Sequence, residues 1–484
     1  MTLAPSAPMH PPGATQGALA PNEGRTPLDL FQLAVMLMTS VAVWRLQDLF
    51  TVLGAIKIQY IAPALALLAF MVESDPRRKI NRIVNPLFKK TMGVGLMVML
   101  SIPTSLWPGY SFRFFMNDHA KTLLLMVLMA ASIRSMTDLR RYAVMHIVGA
   151  LVYSYFVVTT FKLRNGRLGS LIYYDSNDLG LLLVCTIPMC VYFLQPSSKP
   201  LTRLVSSAAL GMIVFTIVQT GSRGAFLAFL ACGAYLLFNF SAITKKVRIY
   251  AVAALVAFLL IFGGPTYWEM MSSLLEPTQD ANWSGEVGRR QIWKRGFGYM
   301  VTHPITGVGG RAFGIAEGTI SQIASRQDVG IGLKWSAAHN SFVEVGAELG
   351  FIGLGLFLAS LWTAWRFVRD IGAPRNAARA GPLGAFGHAI GGTLIAYCVA
   401  GFFVSAGYSA YLYTIFALVI GMMKLAGARA PVAAPAFVTN GASSAPRPPS
   451  TGRRRPNRGR RGGPVGSIHP GPARLPAGRP VVSN

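Results

Sequence analysis

Hydrophobic positions along the chain fall into long runs rather than into strict alternation. Apolar stretches of about 17–22 residues recur, the length a helix needs to cross a hydrocarbon layer. They predict spans near 29–44, 52–72, 91–107, 121–135, 139–161, 177–195, 201–219, 224–240, 247–264, 340–368, 386–405 and 408–426. Polar residues separate them as short loops, except for the long segment 265–338 between the ninth and tenth runs. The expected fold is therefore all-α: a polytopic transmembrane bundle of about twelve spans with one large loop.

Two flanking segments lack this pattern. Residues 1–27 are rich in Pro, Gly and Ala and read as a disordered cytoplasmic lead rather than a signal peptide. Residues 427–484 carry ten Arg among Pro and Gly, with too little apolar surface to offset chain entropy, and read as a disordered cytoplasmic tail. The membrane domain is expected over 28–426.

Composition agrees with this division. Apolar residues make up 52% of the chain and charged residues 13%, against about 25% charged in soluble proteins. The net charge of +27 reads mainly as topology. One set of alternate loops, including Arg77, Arg78, Lys79, Arg134, Arg141 and Lys199, holds 18 Lys and Arg, and the opposite short loops hold 7. By the positive-inside bias the first set faces the cytoplasm and the 265–338 loop faces outward. Nucleic acid is not needed to explain the charge. Membrane lipids are expected partners, with anionic headgroups the natural contact of the basic tail. Cys185, Cys190, Cys232 and Cys398 all fall in apolar runs without metal-ligand spacing and read as small core residues.

Groups able to do chemistry concentrate on the outward side. Gly288-Arg289-Arg290-Gln291-Ile292-Trp293 opens a stretch in which Ile292, Trp293, Phe297 and Met300 recur at helical spacing, predicting an amphipathic helix at the membrane surface. Its arginines suit lipid phosphates, or a diphosphate gripped in bidentate fashion. His303-Pro304 then leads into Gly307, Gly309, Gly310, Arg311 and Phe313, a turn whose glycines allow close backbone approach. No strand precedes it, so it is not a nucleotide-binding loop. Asn340 or Ser341 is a helix N-cap, setting His339 at the outer membrane face, where imidazole can accept a proton near neutral pH. Glu344 and Glu348 share one face of the following helix and require a cation or the bundle interior. Arg223, between the seventh and eighth runs, is a cation on their side. Asp175-Ser176-Asn177-Asp178 reads as a capping cluster. Together Arg223, Arg289, Arg290 and His339 form a cationic outward face suited to a lipid-linked phosphate or diphosphate.

These residues resemble the O-antigen ligase and polymerase superfamily of membrane glycosyltransferases. The resemblance rests on Ser222-Arg223-Gly224, on Gly288-Arg289 followed by Trp293, on His303-Pro304 with Gly307, Gly309 and Phe313, and on His339-Asn340 with Glu348, Gly350 and Gly353. The motifs stand in one order on one predicted side and cover mainly residues 175–360. The resemblance implies a GT-C-like glycosyltransferase of the bacterial inner membrane with a periplasmic site and neither metal nor other cofactor. Its implied donor is an undecaprenyl-diphosphate-linked glycan and its acceptor a hydroxyl on a lipid A core, protein or sugar. Arg223 and Arg289 would hold the diphosphate, His339 would assist the acceptor hydroxyl, and Arg290, Arg311, His303 and Glu348 would bind substrate. The choice between Arg289 and Arg290 stays open, as does ligase against polymerase. Inversion at the anomeric carbon is expected.

Other classes fit less well. A flippase or transporter would distribute charges along mid-membrane helices, and only Lys57, Glu344 and Glu348 qualify. A metal-dependent transferase could use Asp48, but no ligand cluster accompanies it. A nucleotide-sugar enzyme would need a cytosolic site, and the cytosolic loops offer only scattered bases.

Overall fold

The computed structural model describes residues 26–160, 163–164, 167–168, 174–239, 245–276, 280–285, 288–324, 336–376 and 380–428. All belong to one compact unit, Met1–Ala430, while a second unit, Pro431–Asn484, lies outside the described residues. The expectations of disorder for the lead up to residue 25 and for the tail from 429 also lie outside them.

Each apolar run coincides with a helix. In chain order these are α1 (Leu30–Val43), α2 (Ile58–Met71), α3 (Pro86–Leu100), α4 (Ala120–Ser132), α5 (Met136–Thr160), α6 (Ser176–Phe193), α7 (Pro200–Thr220), α8 (Arg223–Asn239) and α9 (Lys245–Phe262). The long loop contributes α10 (Pro265–Ser272), α11 (Arg289–Thr302) and α12 (Phe313–Thr319), and the bundle closes with α13 (Ser341–Gly372), α14 (Pro382–Gly401) and α15 (Ala410–Ala428). The strand content among the described residues is a two-residue antiparallel pair, Leu163–Arg164 with Arg167–Leu168. Among the described residues six helices are long and apolar enough to cross a membrane, Met136–Thr160, Ser176–Phe193, Pro200–Thr220, Ser341–Gly372, Pro382–Gly401 and Ala410–Gly427, or seven if the bent pair Arg248–Phe262 and Pro265–Ser272 counts as one span. Leu30–Val43, Ile58–Met71 and Arg223–Asn239 are shorter apolar helices.

The helices start where their sequences supply caps. Asp29, Asn85, Asp175 and Asn340 each accept backbone N–H bonds from the first turn of α1, α3, α6 and α13. Helix α14 forms the central post, packing on α6, α8 and α13, while α13 also packs on α3 and on the loop helix α11. Tyr397, Tyr411, Tyr413, Phe386 and Phe416 are fully buried in this core.

One end of the bundle is tied by charge. Arg78 is buried between Asp29, at 2.6 Å, and Glu73, and Arg134 bridges Asp29 at 2.8 Å and Asp138 at 3.2 Å. Residues that the sequence offers only as topological charges thus also clamp the start of α1 to the α2–α3 loop and to the start of α5.

Candidate active site

The turn before α8 sets Arg223. Gly221 takes the left-handed conformation at φ 57°, ending α7, and Ser222 Oγ donates to Asn177 Oδ1 at 2.9 Å while accepting from the Ala225 N–H. Asp175 caps α6 by accepting from the Asn177 and Asp178 N–H groups. Arg223 Nη1 donates to Ser273 Oγ at 2.7 Å and meets Asp280 Oδ2 at 2.5 Å.

Arg289 opens α11 and is half-buried, whereas Arg290 is exposed. The helix turns Ile292, Gly296, Tyr299 and Met300 inward, a stripe at helical spacing, and leaves Phe297 exposed. The predicted apolar face is therefore rotated, because Gly296 gives Val343 and Phe313 close approach at its centre. Trp293 Nε1 donates to the Ala338 carbonyl at 3.0 Å, holding α11 to the residue before His339. Arg295 and Tyr299 both reach Glu317, at 2.5 Å and 2.8 Å, a buried clamp absent from the sequence reading. Burial and the Glu317 carboxylate push the Tyr299 hydroxyl above its usual pKa, so it stays a proton donor.

His339 is half-buried, with backbone φ 47°, and Asn340 is the N-cap, accepting from the Phe342 and Val343 N–H groups. Ser341, the alternative cap, instead donates to the Val404 carbonyl at 2.7 Å and accepts from the Ala406 N–H at 3.0 Å. The segments carrying Arg223, Arg289 and His339 converge on Phe402–Phe403. Trp293 packs edge-on against Phe402, Phe342 lies beside the same ring, and Phe403 closes on Gly224. The sequence reading missed this aromatic hub, since two phenylalanines at a span end look like lipid-facing residues.

Helix α13 is broken at Gly350, where φ is 68° and ψ −172°. The 303–313 turn docks into that break. The Val308 and Gly309 N–H groups donate to the Ala347 and Glu348 carbonyls, and the Phe351 N–H donates to the Pro304 carbonyl. Side chains at Gly307 or Gly350 would strike this backbone, as would-be Cβ atoms lie 2.2 Å and 2.5 Å from it. Glu348 accepts from the Arg311 N–H at 2.8 Å and the Phe313 N–H at 3.1 Å, and Glu344 accepts from the Gly407 N–H at 3.1 Å. The cation facing this carboxylate pair is Arg311, 3.8 Å from Glu344, and not Arg223, which is engaged by Asp280. Chain order could not reveal this, because the docked turn brings Arg311 back across the break. With its oxygens held by backbone N–H groups, Glu348 positions the turn. His303 Nδ1 lies 2.9 Å from Thr302 Oγ1, at the C-terminus of α11.

A cavity of about 550 Å³ includes Arg311 in its lining; Arg223, Arg289 and His339 are not among its described lining residues. Among the described residues no group of three or more His, Cys, Asp and Glu could hold a metal ion.

No curated protein matches the chain. Residues 208–358 match a family model described as O-antigen ligase. That stretch, under a third of the chain, runs from α7 into α13 and contains the Arg223, Arg289, turn and His339 motifs, and the match supports a likeness to the O-antigen ligase and polymerase superfamily.

Proposed function

We propose that the chain is a metal-independent, inverting membrane glycosyltransferase of the ligase type, moving a glycan from undecaprenyl diphosphate to an acceptor hydroxyl at the periplasmic face of the inner membrane. In this reading about twelve helices cross the bilayer and the 265–338 loop is periplasmic, following the excess of Lys and Arg on the opposite side. The reading is carried by the convergence of the Arg223, Arg289 and His339 segments on one aromatic hub within the family-matched region.

The acceptor oxygen attacks the anomeric carbon from the face opposite the diphosphate. A new glycosidic C–O bond forms as the bond to the diphosphate oxygen breaks, and the electron pair leaves on undecaprenyl diphosphate. His339 takes the acceptor proton, a task in which a positioned base contributes about 10²–10⁴-fold. Arg223 and Arg289 stabilise the charge that builds on the leaving group, more in the transition state than in the ground state. Arg290, His303, Arg311 and Glu348 complete the reading as substrate-binding residues.

The test is transfer by the purified chain from its lipid-linked donor, with EDTA present, to either a lipid core or a second lipid-linked glycan. Transfer to the core supports the ligase, and elongation of the lipid-linked glycan supports a polymerase. Activity that vanishes with EDTA and returns with added Mg²⁺ refutes the metal-independent mechanism.

A further inference from the structure

The 550 Å³ cavity lies between α1, α2, α4, α6 and the turn leading into α15. Besides the Tyr408 hydroxyl, which faces Glu348, three buried polar atoms among its lining residues have no hydrogen-bond partner among the described residues: Gln47 Oε1, Gln59 Oε1 and Ser405 Oγ. Unpaired buried polar atoms are rare and unfavourable, and three around one cavity point to an occupant that pairs with them.

The chemistry of that occupant follows from the atoms. Two of the three are amide carbonyl oxygens, which only accept hydrogen bonds. A sugar hydroxyl, which donates and accepts at once, pairs with such an amide whichever way it is turned, whereas an ionised diphosphate only accepts. The lining carboxylates Asp118 and Asp178 also accept and would repel a phosphate. The cavity's cations are already engaged: Arg45 pairs with Asp48 at 2.8 Å, Lys121 lies 4.3 Å from the Tyr60 ring centroid, and Arg311 faces Glu344. Tyr60, Tyr174 and Tyr408 add aromatic surface for the apolar face of a ring. Acceptors, carboxylates and aromatic faces around a few hundred cubic ångströms suit a sugar.

The backbone here is also unusual. Arg45 and Arg311 have left-handed φ of 51° and 62°, and a π-helical turn at Phe115–His119 presents Asn117 and Asp118. Such departures concentrate where structure is kept for ligand contact.

We propose that this cavity is a sugar-recognition subsite, which holds a monosaccharide unit of the glycan substrate and selects it through Gln47, Gln59 and Ser405. Its assignment to a glycan substrate rests on the transferase reading above. The subsite shares Arg311 with the proposed substrate-binding residues but includes none of Arg223, Arg289 and His339, so it sets specificity without carrying the reaction.

The experiment uses the full chain in lipid nanodiscs with two probes: the natural lipid-linked glycan and undecaprenyl diphosphate bearing no sugar. Gln47→Met, Gln59→Met and Ser405→Ala should each weaken binding of the glycan-bearing lipid by about tenfold and leave the sugar-free lipid unchanged. Their thermal stability should hold or rise, because an unpaired buried polar atom has been removed, which separates lost recognition from misfolding. If the recognised sugar belongs to the acceptor, the acceptor KM rises about tenfold instead and donor binding is unchanged, which supports the subsite equally. Equal weakening of both lipids, or no change in donor binding and in either KM, overturns the proposal, the latter marking the cavity as merely water-filled. A wild-type chain that binds with this split but transfers nothing refutes the transferase reading and keeps the subsite.

Discussion

Arg223 Nη1 lies 2.5 Å from Asp280 Oδ2, so the guanidinium proposed to grip a diphosphate already holds a carboxylate. The donor must displace Asp280 or share the arginine with it. Asp280→Asn should therefore lower the donor KM, since a neutral amide competes less well for the guanidinium. Arg223→Ala should lower kcat by about 10²-fold or more, the scale of losing one preorganised charge-stabilising donor. Arg223→Lys should also fail to restore the wild-type rate, because bidentate geometry is lost. Wild-type kcat in Arg223→Lys would count against the assignment.

The two arginines opening α11 differ in burial, which separates their roles. Arg289→Lys should lose more transfer than Arg290→Lys, measured with purified donor, because the half-buried residue sits beside the Trp293 anchor and the exposed one faces solvent. The reverse ranking would move the diphosphate contact to Arg290.

His339 can be removed without disturbing the backbone. Its φ of 47° is left-handed, a conformation asparagine tolerates better than alanine. His339→Asn should keep the fold and donor binding while transfer falls by about 10²–10⁴-fold. Loss of donor binding with normal transfer from saturating donor would place His339 in the donor site instead.

Glycines in α13 give a paired stability test. Gly350→Ala places a Cβ 2.5 Å from the Pro304 carbonyl at a φ of 68° and should sharply lower the melting temperature in detergent. Strain from the backbone conformation alone amounts to about 1–3 kcal/mol, before the clash is added. Gly355→Ala, with nothing within 4 Å of its would-be Cβ, should be neutral or mildly stabilising. Similar losses at both positions would mean that the break is not essential.

Acid should loosen the charge-tied end of the bundle. Hydrogen bonds from the Arg77 side chain hold the Asp75 carboxyl down at about 2, below its ordinary value of 3.8. A depressed acid contributes stability above its unfolded pKa and loses it as pH falls through the folded one. The contribution of Asp75 should thus disappear between about pH 4 and pH 2, and Asp75→Asn should flatten the melting-temperature profile there. Because Arg77 is largely exposed, added salt should reduce the effect. A slope unchanged in Asp75→Asn would assign it to other acids.

The sequence by itself determined the class of this protein. Long apolar runs at helical length, capped by Asp29, Asn85, Asp175 and Asn340, specify membrane-compatible helices through local backbone and solvation physics alone. It also supplied the ordered motifs around Arg223, Arg289, His303 and His339, because family likeness is written in chain order. Pairings between distant segments were not legible. Arg311 rather than Arg223 faces Glu344, Asp280 takes Arg223, Glu317 clamps Arg295 and Tyr299, and Phe402–Phe403 joins three motifs. Each depends on the 303–313 turn docking into the Gly350 break or on the loop helices folding back over the bundle. Only the tertiary structure decides which charge meets which, because a buried carboxylate takes the partner that packing brings within reach, whatever lies nearest in sequence.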